Sequence, residues 1–275
     1  MRLAQISDTH IRPPGELAYG VVDTASLLSR AVSTLNELGD QIDAVLMTGD
    51  LVDAGRPEEY RYLRTLLDPL AKPYYLMAGN HDARGALRDA FADHLYLHQN
   101  ENFIQYTFDV GPMRIIALDS LIERESGGTL CEARLAWLDA QLALTCAGVE
   151  AHSGAARPVI IAIHHPPFDT GIAEMDEIVL ERAAATALEQ IVRRYPNVER
   201  VLIGHVHRPM LVRFGGTIAV TCPSTAHQTA LDFRRGVPLQ FIMEPPGYAL
   251  HDWHDSNRMV THYLHTGTFG AAHPF

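Results

Sequence analysis

Cysteine is scarce in this chain: three in 275 residues, Cys131, Cys146 and Cys222. They stand far apart and form no Cys-x-x-Cys pair, which excludes a disulfide framework and a zinc-thiolate site. Buried, inert thiols in a reducing compartment are expected instead. Cations are also few. The 22 Lys and Arg face 33 Asp and Glu, for a formal net charge of −11, and they are scattered. Binding a phosphate backbone needs clustered cations, so no extended nucleic-acid surface is expected. A small phosphorylated ligand held at one local site survives that exclusion. No apolar run approaches the roughly 20 residues of a spanning helix, and Met1 to Asp8 lacks the long apolar stretch of a signal peptide. The expectation is a cytoplasmic chain without a membrane partner. No repeat or low-complexity linker divides the sequence. The hydrophobic share of 47% is ordinary globular usage.

What is present is an alternation of strand-like and helix-like segments. Arg2–Ser7, Asp43–Met47, Tyr74–Met77, Val159–Ile163 and Val201–Ile203 read as short, mostly buried strands. Asp23 is placed to cap a helix over Thr24–Leu38, with Gly39 as its stop. Pro57-Glu58-Glu59 opens a second helix, since proline suits the first turn and acids suit the positive end of the dipole. Thr129 and Glu132 have the spacing of a capping box, and Glu181–Tyr195 is a further helix. Gly111-Pro112 and Gly215-Gly216 mark hairpins. Alternating β and α in the first half, with hairpins added in the second, predicts mixed sheets covered by helices. The tail from about Leu231 is read as a β-rich extension or lid. Its histidines, His251, His254, His262, His265 and His273, are expected to be packing or surface residues.

Histidines number 15, more than either the 9 Phe or the 10 Tyr, and their placement carries the chemistry. Five strands end in metal-capable side chains: Asp8-Thr9-His10, Gly49-Asp50, Gly79-Asn80-His81-Asp82, His164-His165-Pro166-Pro167 and Gly204-His205-Val206-His207. In α/β sheets, ligands bind at the carboxyl ends of strands. Five such endings facing one crevice would assemble Asp8, His10, Asp50, Asn80, His164, His205 and His207. Imidazole with carboxylate suits first-row ions such as Fe, Mn, Zn and Co. Seven donors exceed what one open catalytic ion takes and fit two ions sharing a carboxylate, a pair that clamps the attacking and leaving oxygens of a phosphoryl displacement. Residues two apart on an extended segment share a side, the expected geometry for Asp8-x-His10 and His205-x-His207. Gly49, Gly79 and Gly204 are expected to let the chain turn tightly. His164 is taken as the donor and His165 as its neighbour. The segment Ile11–Val22, with Tyr19, is placed to form a substrate-binding rim.

In this order the blocks resemble the calcineurin-like metallophosphoesterase superfamily, from the first strand to about residue 230, and within it the bacterial glycerophosphodiesterases and class III cyclic-nucleotide phosphodiesterases. The resemblance implies a four-layer αββα sandwich over residues 1–230, with 231–275 packing on it or on a neighbouring subunit, and a homo-oligomer. It implies two divalent ions, one held by Asp8, His10, Asp50 and His207, the other by Asp50, Asn80, His164 and His205, with Asp50 bridging. It implies hydrolysis of small phosphodiesters, cyclic AMP or glycerophosphodiesters, by in-line attack of a metal-activated hydroxide. His81 is the expected general acid or charge stabiliser, with Asn80 and His227 toward the substrate. Purple acid phosphatases would place a tyrosine where Asp53 stands. By likeness to the protein serine/threonine phosphatases, Asp53 is expected to pair with His81, a carboxylate fixing an imidazole. Two alternatives use the same blocks: a nuclease, which the net charge disfavours, and a non-catalytic scaffold, which should have lost ligands.

Overall fold

The computed structural model describes residues 1–146, 156–254 and 258–274. In chain order it runs β1 (Arg2–Ile6), α1 (Thr24–Leu38), β2 (Ala44–Met47), α2 (Pro57–Leu67), β3 (Tyr74–Leu76), α3 (Arg84–Ala90), β4 (Tyr106–Val110), β5 (Met113–Leu118), α4 (Glu132–Leu144) and β6 (Val159–Ile163). It continues with α5 (Ala173–Asp176), α6 (Arg182–Arg193), β7 (Val198–Ile203), β8 (Leu211–Phe214), β9 (Thr217–Thr221), β10 (Gln228–Thr229), β11 (Phe241–Ile242), β12 (Gly247–His254) and β13 (Arg258–His265).

The helix signals act largely as the sequence suggests. The Asp23 carboxylate accepts the Ser26 N–H at 3.0 Å, and α1 buries Leu28, Val32 and Leu35 on one face. Pro57 starts α2, where the Glu59 carboxylate accepts the N–H groups of Ala54 and Arg56. The capping box at α4 does not form. The Thr129 hydroxyl donates to Glu181 Oε2 at 2.6 Å instead, and Cys131 becomes the residue before the helix. That cysteine is exposed rather than buried. Burial raises its thiol pKa somewhat, but the Arg134 N–H and guanidinium outweigh it and hold the thiol below its ordinary value.

Two mixed sheets face each other. The first has the order β13-β12-β1-β2-β3, the second β4-β5-β6-β7-β9-β8. β1, β2 and β3 are parallel, as are β5, β6, β7 and β9; β12, β4 and β8 join antiparallel. Alternation along the second sheet sets the layers. Ile115 and Ala117 of β5 and Ile160 and Ala162 of β6 pack into the core shared with the first sheet. Ile116, Leu118, Ile161 and Ile163 point the other way, onto Leu138 and Leu142 of α4 and Leu188, Ile191 and Val192 of α6. α1 and α2 pack into the shared core with the first sheet. The result is the four-layer αββα sandwich. Strands covered on both faces read as continuous apolar runs, and β2 and β6 are buried throughout. The tail completes the first sheet, because β12 pairs with β1 in register Arg2↔Asp252 to Gln5↔Ala249.

A polar seam ties the sheets near their carboxyl ends. Gln5 Nε2 donates to Thr48 Oγ1 and to the Ile203 carbonyl, both at 3.0 Å. His251, from β12, closes the same network against Gln5 Oε1 and Thr261 Oγ1. The loops beyond are pinned by main-chain bonds, Asp8 N–H to Gly49 O, His10 N–H to Asp50 O and Gly204 N–H to His164 O. That seam brings the ends of β1, β2, β6 and β7 to one edge.

Candidate metal centre

Seven side chains from five loops meet at that edge. Asp50 stands in the middle with its oxygens divided: Oδ2 lies 3.7 Å from His10 Nε2 and Oδ1 3.4 Å from His164 Nε2. On the first side, His10 Nε2 faces His207 Nε2 at 3.1 Å, and Asp8 Oδ1 lies 3.5 Å from His207 Nε2. The donor atoms of Asp8, His10, Asp50 and His207 all fall within 4.8 Å of one another. On the second side, Asn80 Oδ1 sits 3.1 Å from His164 Nε2 and 3.0 Å from His205 Nδ1. His165 points away, hydrogen-bonded through Nδ1 to Ser120 and through Nε2 to the Ser126 carbonyl.

The backbone that aims these groups is not extended. Asp8, His10, Asp50, His205 and His207 all have positive φ, between 45° and 67°. This is the left-handed region, uncommon for residues with a side chain and richest in Asp, Asn and His. The expectation that Asp8 and His10, and His205 and His207, share one side of an extended strand is therefore corrected: each of these four, like Asp50, is presented by a left-handed kink. The glycines act differently too. Gly49 has φ +97° and turns the chain, but Gly79 and Gly204 do not have positive φ. They are small because the loops touch. A Cβ at Gly79 would strike the Asp50 carboxylate, and one at Gly204 would strike Ser7 Oγ and the Thr48 carbonyl.

The donor set fits a pair of cations on its own hydrogen-bond accounting. His164 Nδ1–H donates to the Thr48 carbonyl at 2.7 Å, and His207 Nδ1–H to the His227 carbonyl at 3.0 Å. In a neutral ring each Nε2 is then a bare lone pair. Those lone pairs face the lone pairs of Asp50, Asn80 and Asp8, in a site where all four donor histidines and both aspartates are buried. Asp8 Oδ2 and His205 Nε2 are buried with no partner at all. Converging acceptors in a dry interior need positive charge. Burial lowers His207 to about 3 and holds His205 well below its usual value, with neighbouring imidazoles adding to both. Burial opposes charge on Asp50 and His164 as well, but each stabilises the other. Asp50 is held well below its ordinary range, and His164 is raised to about 9. Asp8 is raised to about 6 by burial.

A cleft of about 200 Å³ opens over the donors. His81, His227 and Tyr19 reach its wall, as the sequence suggests. Tyr19 stands edge-on to His227 at 5.1 Å and stacks on Phe241 at 4.8 Å. The expected Asp53–His81 pairing takes another form. His81 Nδ1–H donates to the main-chain carbonyl of Asp53 at 2.6 Å, while the Asp53 carboxylate is drawn to Arg12 at 2.6 Å and lies 3.6 Å from His10 Nδ1. Sequence reasoning named none of the residues of the outer wall, reading the tail from about Leu231 only as an extension or lid: they are Met175, Ile178, Leu239 and Phe241, with Thr229 and Gln240 among them. Its one trace is the apolar-rich stretch Leu239–Met243, whose Leu239, Phe241, Ile242 and Met243 side chains are exposed. Among the described residues, no lysine or arginine lines the cleft.

A helix-covered pair of mixed sheets with this donor set at the strand ends defines a metal-dependent phosphoesterase, and the chain belongs to the calcineurin-like phosphoesterase family, whose sequence profile matches residues 1–209. Among curated relatives it is 35% identical, over all of its length and 97% of the other chain, to a protein of Arcobacter nitrofigilis named "Probable glycerophosphodiester phosphodiesterase GpdQ". It is 30% identical, over 94% of its length and 88% of the other chain, to the 3′,5′-cyclic adenosine monophosphate phosphodiesterase CpdA of Pseudomonas aeruginosa. Among solved structures, a dimetal phosphatase from Danio rerio superposes with a TM-score of 0.69 at 18% identity, over 97% of this chain and 96% of that one; the likeness is one of fold. Among the described residues, no helix is long and apolar enough to cross a membrane.

Proposed function

We propose that the chain is a dinuclear metal-dependent phosphodiesterase that hydrolyses small phosphodiesters, 3′,5′-cyclic nucleotides such as cAMP and glycerophosphodiesters. The observation that carries this reading is the divided carboxylate of Asp50, one oxygen toward His10 and the other toward His164. In it, Asp8, His10, Asp50 and His207 hold one ion and Asp50, Asn80, His164 and His205 the other. The mixed oxygen and imidazole donors suit Fe, Mn, Zn or Co. Bound there, the two ions supply Lewis acidity toward the phosphoryl oxygens and a nucleophile from water at neutral pH.

The chain's own groups do the rest. The His81 N–H binds Asp50 Oδ1 at 2.9 Å, which fixes its loop to the shared carboxylate. Its Nδ1–H is committed to the Asp53 carbonyl, so Nε2 is the ring atom left to protonate the departing alkoxide. With Asn80 Oδ1 turned to the imidazoles, its amide N–H₂ is left for a phosphoryl oxygen. His227 Nδ1 is buried without a partner and faces the substrate beside Tyr19. The apolar outer wall receives the alcohol and excludes water. A cleft lined, among the described residues, by no lysine or arginine suits the single charge of a diester better than the double charge of a monoester.

Three unpaired thiols support a cytoplasmic setting. Exposed Leu231, Phe233, Ile242 and Met243 support homo-oligomeric assembly, which light scattering after gel filtration tests. The deciding experiment is a substrate panel on metal-replete protein with elemental analysis. Two ions per chain are expected, with turnover of bis-p-nitrophenyl phosphate and of cAMP or glycerophosphocholine, slower turnover of a phosphomonoester, and none of single-stranded DNA. Two bound ions without hydrolysis of any ester would leave the scaffold reading standing.

A further inference from the structure

The imidazoles of the first cation position are not supported alike. His207 is backed by a neutral main-chain carbonyl, that of His227, as is His164 on the other side, by that of Thr48. His10 is different. Its Nε2 turns inward to His207, and its Nδ1 is buried with no hydrogen-bond partner but lies 3.6 Å from Asp53 Oδ1. The second oxygen of that carboxylate is taken by Arg12 at 2.6 Å, and Arg12 is steadied in turn by Glu16 at 3.0 Å. A guanidinium holding one oxygen leaves the other aimed at the ring.

We propose that Asp53, anchored by Arg12, is the positioning carboxylate of His10: it fixes the ring so that Nε2 faces inward and strengthens that nitrogen as a donor. A carboxylate behind an imidazole orients it and raises its basicity, and losing such a partner typically weakens metal affinity by about 10- to 100-fold. The cation position served by His10 is therefore held with anionic support behind an imidazole, where His164 on the other side has only the neutral Thr48 carbonyl. This rests on the two-ion reading above. The geometry also gives a clean variant. His81 leans on the Asp53 main chain, so changing the Asp53 side chain leaves the His81 anchor in place.

The test titrates metal-free protein with Co(II), read by calorimetry and by the visible absorption of the bound ion. Wild-type protein shows two binding events. Asp53→Asn weakens one of them about 10- to 100-fold and shifts its absorption, while the other event stays within about twofold of wild type. Asp53→Glu restores part of the loss, which a merely structural role would not do. Arg12→Met moves the same event in the same direction by less, and it carries the test should Asp53→Asn fail to fold. Two wild-type events, both unchanged or both weakened alike in these variants, overturn the inference alone. Wild-type protein that takes up a single Co(II) overturns the two-ion reading, and this inference with it.

Discussion

The loops after β1, β2 and β3 carry Asp8, His10, Asp50 and Asn80, whereas those after β6 and β7 carry His164, His205 and His207. The first sheet brings all the oxygen donors and one imidazole, the second only imidazole. The cluster of Asp8, His10, Asp50 and His207 draws on both. Oxygen donors supply the anionic charge that holds a cation, and nitrogen donors bias the choice toward borderline first-row metals. The same interior offers a second contrast. His251 lies between the sheets and is as buried as any donor, yet both its nitrogens are bonded, to Gln5 and Thr261. A buried histidine with its nitrogens satisfied is packing. One with a nitrogen facing other lone pairs is chemistry.

The contrast breaks most sharply at the carboxylate both halves share. Asp50→Asn should empty both cation positions and lower kcat by about 1,000-fold or more, on the scale of lost electrostatic stabilisation in a closed site; elemental analysis and initial rates check it, and full metal content in that variant would refute the bridging role. His81→Gln keeps both ions and should slow diesters with poor leaving groups by about 100-fold or more, while p-nitrophenyl esters are hardly affected; equal losses on both would remove the general-acid role. Leu188→Ala acts on the far side of the imidazole-bearing sheet, under α6. It should cost about 2–5 kcal/mol of stability, seen in urea denaturation, with metal stoichiometry unchanged.

The smallest effect belongs to His251. Burial depresses its pKa to about 3, so the stability it contributes is complete above its unfolded value of 6.5 and falls as pH drops from there toward 3. At pH 5 this linkage costs wild type about 2 kcal/mol relative to neutral pH. His251→Gln should lose correspondingly less stability between pH 7 and pH 5, while activity at neutral pH is retained.

The convergence of these seven side chains was legible because each block lies within a few residues of the end of a buried strand. The α1 cap at Asp23 was legible because its signal is local. What the sequence hid depends on distance. Asp53 and His10 lie 43 positions apart with no motif joining them, and which atom of Asp53 meets His81 is decided only when α2's leading loop settles against the Gly79–Asp82 turn. Thr129 had the spacing of a cap, but Glu181, far along the chain, competed for its hydroxyl. The outer wall of the cleft comes from α5 and β11, whose residues share no periodicity with the donors. The left-handed kinks at Asp8, His10, Asp50, His205 and His207 were hidden because they fall on the donors themselves and not on a glycine.

At Gly79 and Gly204 the loops of the two sheets touch so closely that even a methyl group would part them. This joint divides the molecule for anyone who would alter it. Libraries built to change which esters are accepted should randomise the rim at Tyr19, Leu239 and Phe241, where neighbours can yield. The joint itself belongs at wild type, since its loss would misalign all five donor loops at once.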